Sequence, residues 1–77
     1  MSSWRVSPAR GMGSPCNVSG PFVTAERAAK QVFRGFDGVR VVQQNLGYAV
    51  YGRPAKRAST DPDRPEVNLG FVFSRTS

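Results

Sequence analysis

The chain predicts an α+β domain: one amphipathic helix packed on a three- to four-stranded antiparallel sheet, with a Gly/Pro-rich N-terminal arm. Three observations carry this. Apolar residues recur at helical spacing from Ala25 to Phe36, two β-branched or aromatic runs flank Asn45-Leu46-Gly47, and Val67, Leu69, Phe71 and Phe73 alternate with smaller or polar residues. One helix against one antiparallel sheet is the economical way to bury such a set in 77 residues.

Trp4-Arg5-Val6 alternates over a short span and reads as a short edge strand with Trp4 and Val6 on one face. Residues 7–21 follow, punctuated by Pro8, Pro15, Pro21, Gly11, Gly13 and Gly20, and read as a loop or mobile arm. Thr24 is suited to cap a helix, because its hydroxyl can accept from a free amide of the first turn, and Glu26 sits where the helix dipole favours an acid. Ala25, Ala28, Ala29, Val32, Phe33 and Phe36 then form one apolar stripe, and Gly35 is placed to end the helix in a left-handed cap. The opposite face carries Arg27, Lys30 and Arg34, with Glu26 and Lys30 spaced to pair.

Gly35-Phe36-Asp37-Gly38 reads as a turn into a β-branched strand over 39–44. A three-residue hairpin loop at Asn45-Leu46-Gly47 leads back into a strand at 48–51. That loop pairs Gln44 with Tyr48 and Val42 with Val50. One face of the hairpin then carries Arg40, Val42, Gln44, Tyr48 and Val50, and the other Val39, Val41, Gln43, Ala49 and Tyr51. Residues 53–65, with three prolines and no large apolar residue, read as a basic exposed loop before the last strand over 66–75. The whole is one small domain: arm with edge strand over 1–21, helix plus hairpin over 22–52, then the loop and the strand. Its expected core is Ala28, Val32, Phe33, Phe36, Val39, Val41, Val67, Leu69, Phe71 and Phe73.

Composition narrows the chemistry. The chain has no histidine, one cysteine (Cys16) and five carboxylates against eleven Lys and Arg, nine of them arginine, for a net charge of +6. Serine-histidine triads, cysteine-histidine pairs and common metal sites are excluded within one chain, so no cofactor or metal is expected. Glu26 sits in an exposed first turn, Asp37 in a turn, and Asp61, Asp63 and Glu66 in loop chemistry, which leaves general acid–base catalysis without a tuned group. The expectation is a protein that binds and does not catalyse.

A core this small rarely supplies more than about 3–5 kcal/mol, and a lone cysteine adds no internal bridge. The lone thiol fits a reducing compartment, no apolar run approaches the roughly 18 residues of a membrane span, and Met1-Ser2-Ser3-Trp4-Arg5 lacks the apolar centre of a signal peptide. A cytoplasmic protein is therefore expected, with no membrane and no small-molecule substrate among its partners.

Charge is uneven. Residues 1–60 hold nine Lys and Arg against two acids, and residues 61–77 hold two against three. A basic body attracts phosphate backbones or acidic protein surfaces through its long-range field; plain solubility accounts for the same charge. The candidate binding residues are Arg27, Lys30 and Arg34 along the helix, Arg40 and Arg53 beside the hairpin, and Lys56 and Arg57 on the basic loop. Tyr48 and Tyr51 add stacking or docking groups. Both faces of the hairpin carry large apolar groups, whereas one helix covers one face. Something must cover the other: the arm with Trp4, a second copy, or a foreign partner. The expected partner is nucleic acid or a nucleoprotein complex, with a protein partner docking on the hairpin and a homodimer as alternatives.

Residues 24–30 (Thr-Ala-Glu-Arg-Ala-Ala-Lys), the valine strand at 39–42 and Gly47-Tyr48-Ala49-Val50-Tyr51 together resemble small phage and mobile-element proteins. Among these are anti-CRISPR proteins built as one helix against an antiparallel sheet. The resemblance is one of element order over about half the chain. It implies a phage-encoded stoichiometric inhibitor, acting in the host cytoplasm, that docks on an effector and obstructs nucleic-acid binding or cleavage. Many such proteins are acidic; this chain is basic, which points to an acidic or nucleic-acid-bearing surface.

Overall fold

A computed structural model describes residues 2–55, 58–62 and 64–74. The elements run β1 (Ser2–Pro8), β2 (Cys16–Gly20), α1 (Ala25–Val32), β3 (Phe36–Gln44), β4 (Gly47–Pro54) and β5 (Val67–Ser74). The class is α+β, with one helix and one antiparallel sheet. The sheet has five strands, in the order β2-β1-β5-β4-β3, instead of three or four.

The extra strand comes from the segment expected to be an arm. Cys16–Gly20 pairs antiparallel with β1, Trp4 opposite Val18 and Val6 opposite Cys16, so β1 is an inner strand and β2 is the edge. Only the connection over 9–15 is irregular. Gly11 and Gly13 supply positive φ values of 87° and 128° there, and the Ala9 amide donates to the Leu69 carbonyl at 2.7 Å. Cys16-Asn17-Val18-Ser19-Gly20 carries one large apolar residue, so its strand character rests on pairing and not on its own side chains.

Thr24 caps the helix as its chemistry predicts: its Oγ1 accepts from the Arg27 amide at 3.2 Å. The far end differs. The helix stops at Val32, the Phe33 amide closes on the Ala29 carbonyl at 2.8 Å, and Gly35 does not adopt a positive φ. Phe36 is not the last helical apolar residue but the first residue of β3, opposite Pro54. It keeps its contact with the helix end through an edge-on ring pair with Phe33, centroids 6.1 Å apart. The left-handed glycine is Gly38, at φ 61°, in an irregularity where β3 shifts register against β4 between Asp37 and Arg40.

The hairpin register also differs from expectation by one residue. Gln44 pairs with Gly47 and Gln43 with Tyr48, so the turn is Asn45-Leu46 alone, and neither residue takes a positive φ. Gly47 is needed for a different reason: a Cβ there would sit 2.5 Å from the Val72 carbonyl oxygen and 2.9 Å from the Phe73 ring. The shift puts Tyr48 and Val50 with Val39, Val41 and Gln43, and puts Ala49 and Tyr51 with Arg40, Val42 and Gln44.

A second irregularity decides the core. Val50 pairs with Gly70, yet the next residue, Tyr51, pairs with Asn68, which leaves Leu69 as an extra residue in β5. Asn68 Nδ2 donates to the Val50 carbonyl at 3.4 Å beside this bulge. Gly70 is forced there, because a Cβ would collide with the Ser7 carbonyl oxygen and approach Pro8 Cα to 2.8 Å. Alternation therefore restarts. Val67 and Leu69 face the helix, and beyond the bulge so does Val72, while Phe71 and Phe73 turn to the opposite face. The expected core is corrected accordingly. Val6, Ala25, Ala28, Ala29, Phe33, Val50, Leu69 and Val72 are buried between helix and sheet, with Trp4, Val18, Val32, Phe36, Val39, Val41, Tyr48 and Val67 packed around them. Three alanines on the helix let it lie close to the sheet, so the valines and Leu69 supply most of the buried bulk.

Candidate functional site: the open face of the sheet

The helix covers one face of the sheet, and the strand register determines what lies on the other. Along β5 it shows Phe71 and Phe73; along β4 Ala49, Tyr51 and Arg53; along β3 Arg40, Val42 and Gln44; along β1 Arg5 and Ser7; along β2 Asn17 and Ser19. Trp4 does not cover this face. Its indole lies on the helix side, donates from Nε1 to the Val23 carbonyl at 3.1 Å and meets Tyr48 edge-on at 5.8 Å.

The middle of the open face is apolar. Phe71 and Phe73 stand two residues apart on one strand, their rings 6.1 Å between centroids and inclined by 26°. Phe71 is 42% exposed. Ala49, its cross-strand partner, is buried beneath its neighbours. At the hairpin tip Leu46 is 85% exposed. Between the tip and the two phenylalanines runs a groove of about 290 Å³, lined by Gln44, Asn45, Leu46, Gly47, Phe71 and Phe73 among others. A second hollow on the helix side of the tip is lined by Trp4, Gln43, Tyr48 and Ser74, so the tip projects between two depressions.

Cations border the apolar strip. Arg5 is the cross-strand partner of Phe73, which sets the two side chains side by side on the same face. Arg40 reaches Glu66 with two hydrogen bonds, Nε to Oε2 at 2.9 Å and Nη2 to Oε1 at 2.6 Å, and its guanidinium lies 5.2 Å from the centre of the Tyr51 ring. That paired geometry holds the Glu66 carboxyl below its ordinary range and the Arg40 guanidinium above its own, in each case chiefly through the hydrogen bonds. Arg53 follows Tyr51 on the same face, opposite Asp37. Among the described residues neither Arg5 nor Arg53 has an ion-pair partner.

The candidate residues read from the sequence are thus divided. Arg40, Tyr51 and Arg53 come together on the open face. Arg27 and Lys30 on the helix and Arg34 in the turn after it are exposed on the far side of the molecule. There Lys30 Nζ pairs with Glu26 at 2.9 Å and draws the Glu26 carboxyl below its usual value, and Arg27 Nη1 reaches the Phe22 carbonyl at 3.5 Å. Tyr48 stands on the helix side of the sheet, half-buried against Trp4 and lining the hollows at the hairpin tip, apart from Tyr51. Lys56 and Arg57 lie outside the described residues. Phe71, Phe73, Arg5 and Leu46 are the members of the face that the sequence pattern hides, the first two because unbroken alternation assigns them to the core. Gly70 in mid-strand is the signal that exposes the break.

Among the described residues no three His, Cys, Asp or Glu side chains come together, and no helix is long and apolar enough to cross a membrane. No family model matches the chain, and no curated protein or solved structure is found to be similar to it.

Proposed function

We propose that the protein is a non-enzymatic nucleic-acid-binding module that works through the open face of its sheet. The observation that carries the reading is the ring pair of exposed Phe71 and half-buried Phe73, set with Tyr51 among Arg5, Arg40 and Arg53 on the sheet face that the helix leaves uncovered. Exposed aromatic rings next to guanidinium groups suit a polyanion that also offers flat apolar surfaces, as nucleic acids do. A net charge of +6 supplies the long-range attraction. The helix cations Arg27 and Lys30, with Arg34 just beyond the helix end, add to that field without touching the same ligand.

The test is a titration of fluorescein-labelled DNA and RNA oligonucleotides, single-stranded and duplex, read by anisotropy over a salt series. Affinity is expected to fall with salt, with a log–log slope of about −0.7 per neutralised phosphate for single strands and about −0.9 for duplex. Arg5→Gln with Arg53→Gln should flatten the slope by one to two such increments. No binding, or binding insensitive to salt, removes the reading.

A second reading is favoured by Leu46, an apolar side chain 85% exposed at a tip flanked by two hollows. It is that of a stoichiometric inhibitor inserting the hairpin into a protein partner, the role that the likeness to anti-CRISPR proteins implies. Complexes that survive nuclease treatment and are lost with Leu46→Asp would select it.

A further inference from the structure

Resting on the nucleic-acid reading, we infer that the groove between the hairpin tip and Phe71 and Phe73 is a slot for one unstacked base, so that the ligand is a single strand and not a duplex. The groove holds about 290 Å³, at the bottom of the range of small-molecule clefts, roughly 300–1,000 Å³. A planar heterocycle fits such a space; a duplex, whose bases are stacked and paired, presents none to it. The floor and one wall are the rings of Phe71 and Phe73, which offer π-faces at a strand position where no helix covers them.

Gln44 and Asn45 line the same groove. Each carboxamide brings both donors and an acceptor, the set that reads the hydrogen-bonding edge of a base, and neither has a hydrogen-bond partner among the described residues. Arg5, directly across from Phe73 on the neighbouring strand and without an ion-pair partner among the described residues, lies on the far side of the phenylalanine pair from the groove, where it would meet a phosphate of the same strand next to the held nucleotide. Leu46 at the tip adds a further apolar lining residue. Apolar rings, amide groups and a nearby guanidinium together match a nucleotide, and they come from different parts of the fold: β5, the end of β3 with the hairpin turn, and β1.

The experiment compares fluorescein-labelled 12-nucleotide homopolymers and a 12-base-pair duplex against the whole protein at fixed salt. Single strands are expected to bind at least tenfold more tightly than the duplex. Phe73→Leu keeps the apolar volume but removes the π-face, and should weaken single-strand binding about 5- to 150-fold, the range of one base–aromatic stack, while leaving duplex binding unchanged. Gln44→Leu should alter the ranking of the homopolymers. Arg27→Gln, on the helix, should reduce affinity for all ligands by a common small factor. Equal affinity for duplex and single strand, with Phe73→Leu without effect, overturns the slot and leaves nucleic-acid binding standing. Absence of binding to every oligonucleotide overturns the underlying reading first. A concentration-dependent dimer, seen by sedimentation and abolished by Phe71→Lys, assigns the face to a second copy and overturns both.

Discussion

The bulge at Leu69–Gly70 makes a sharp energetic prediction about two adjacent residues. Val72 is fully buried and Phe71 is 42% exposed. Val72→Ala deletes two buried methyl groups, about 1.6 kcal/mol at roughly 0.8 kcal/mol per group, and the enclosed void left between helix and sheet raises this to about 2–3 kcal/mol. Phe71→Ala removes a larger side chain, but only about three-fifths of its surface is out of water, and the space it leaves opens to solvent. Its cost is about 1–2 kcal/mol, against about 3–5 kcal/mol for a phenylalanine deleted from a core. Lysine sharpens the contrast. Phe71→Lys keeps its ammonium in water and folds, whereas Val72→Lys places an unpaired charge in the core and does not. Urea unfolding followed by the fluorescence of Trp4, the single tryptophan, reads all four variants. With a slope of about 1 kcal/mol per molar for a chain of this size, Val72→Ala lowers the midpoint by about 2–3 M. A Phe71→Ala variant that loses more than Val72→Ala, together with an unfolded Phe71→Lys, would mean that β5 alternates without interruption and that the open face is misassigned.

Other outcomes follow from single contacts. Gly70→Ala drives a Cβ into the backbone of Ser7 and Pro8, neither of which can swing aside, and should detach β1 from β5, seen as loss of amide protection over both strands; Gly35→Ala, with open space around it and no positive φ, should instead gain about 0.4–1 kcal/mol. Thr24→Ala removes the acceptor for the Arg27 amide and should cost about 1 kcal/mol, a fall of roughly 4–8 °C in melting temperature. Because Arg40 depresses the Glu66 carboxyl, their pairing contributes above about pH 4.3, the ordinary carboxylate value, and is lost as pH falls through the lower folded value; melting curves of wild type and Glu66→Gln should therefore diverge near neutrality and converge in acid.

What the sequence makes legible is what local chemistry decides. Thr24 caps the helix because its hydroxyl and the Arg27 amide are three residues apart, and the alternation of valines announces strands on either side of Asn45-Leu46. What stays hidden depends on partners distant in the chain. Phe36 fits a helical stripe equally well, and only its pairing with Pro54 draws it into β3. Cys16–Gly20 lacks strand-forming side chains and becomes a strand because β1 offers it a free edge. A glycine at position 47 reads as a left-handed turn residue, yet it serves close approach to Val72 and Phe73, and that difference moves the hairpin by one residue. The binding residues divide for the same reason: cations that the sequence alone cannot sort fall on opposite sides of the sheet once the register is set.

One insertion links the thin core to the exposed aromatics. Without the extra residue, Phe71 and Phe73 would share the helix side with Leu69, and Val72 would face water. The helix lays three alanines on the sheet and stands close to it, and two phenylalanines under that helix would hold the layers apart. The bulge resolves the crowding by sending the valine inward and the rings outward. The open face is thus the counterpart of a close-packed helix side, and its apolar strip exists at the same positions whatever covers it. What distinguishes it from simple overflow is its border: Arg5 beside Phe73, Arg40 stacked over Tyr51 and tied to Glu66, and two carboxamides lining the groove without hydrogen-bond partners among the described residues. Packing accounts for the rings being outside, and it places no demand on the identity of the residues around them. The pair with Glu66 accounts for Arg40; Arg5, Arg53 and the two carboxamides are the part of the face that packing leaves unexplained, and the part that a ligand with phosphates and base edges would use.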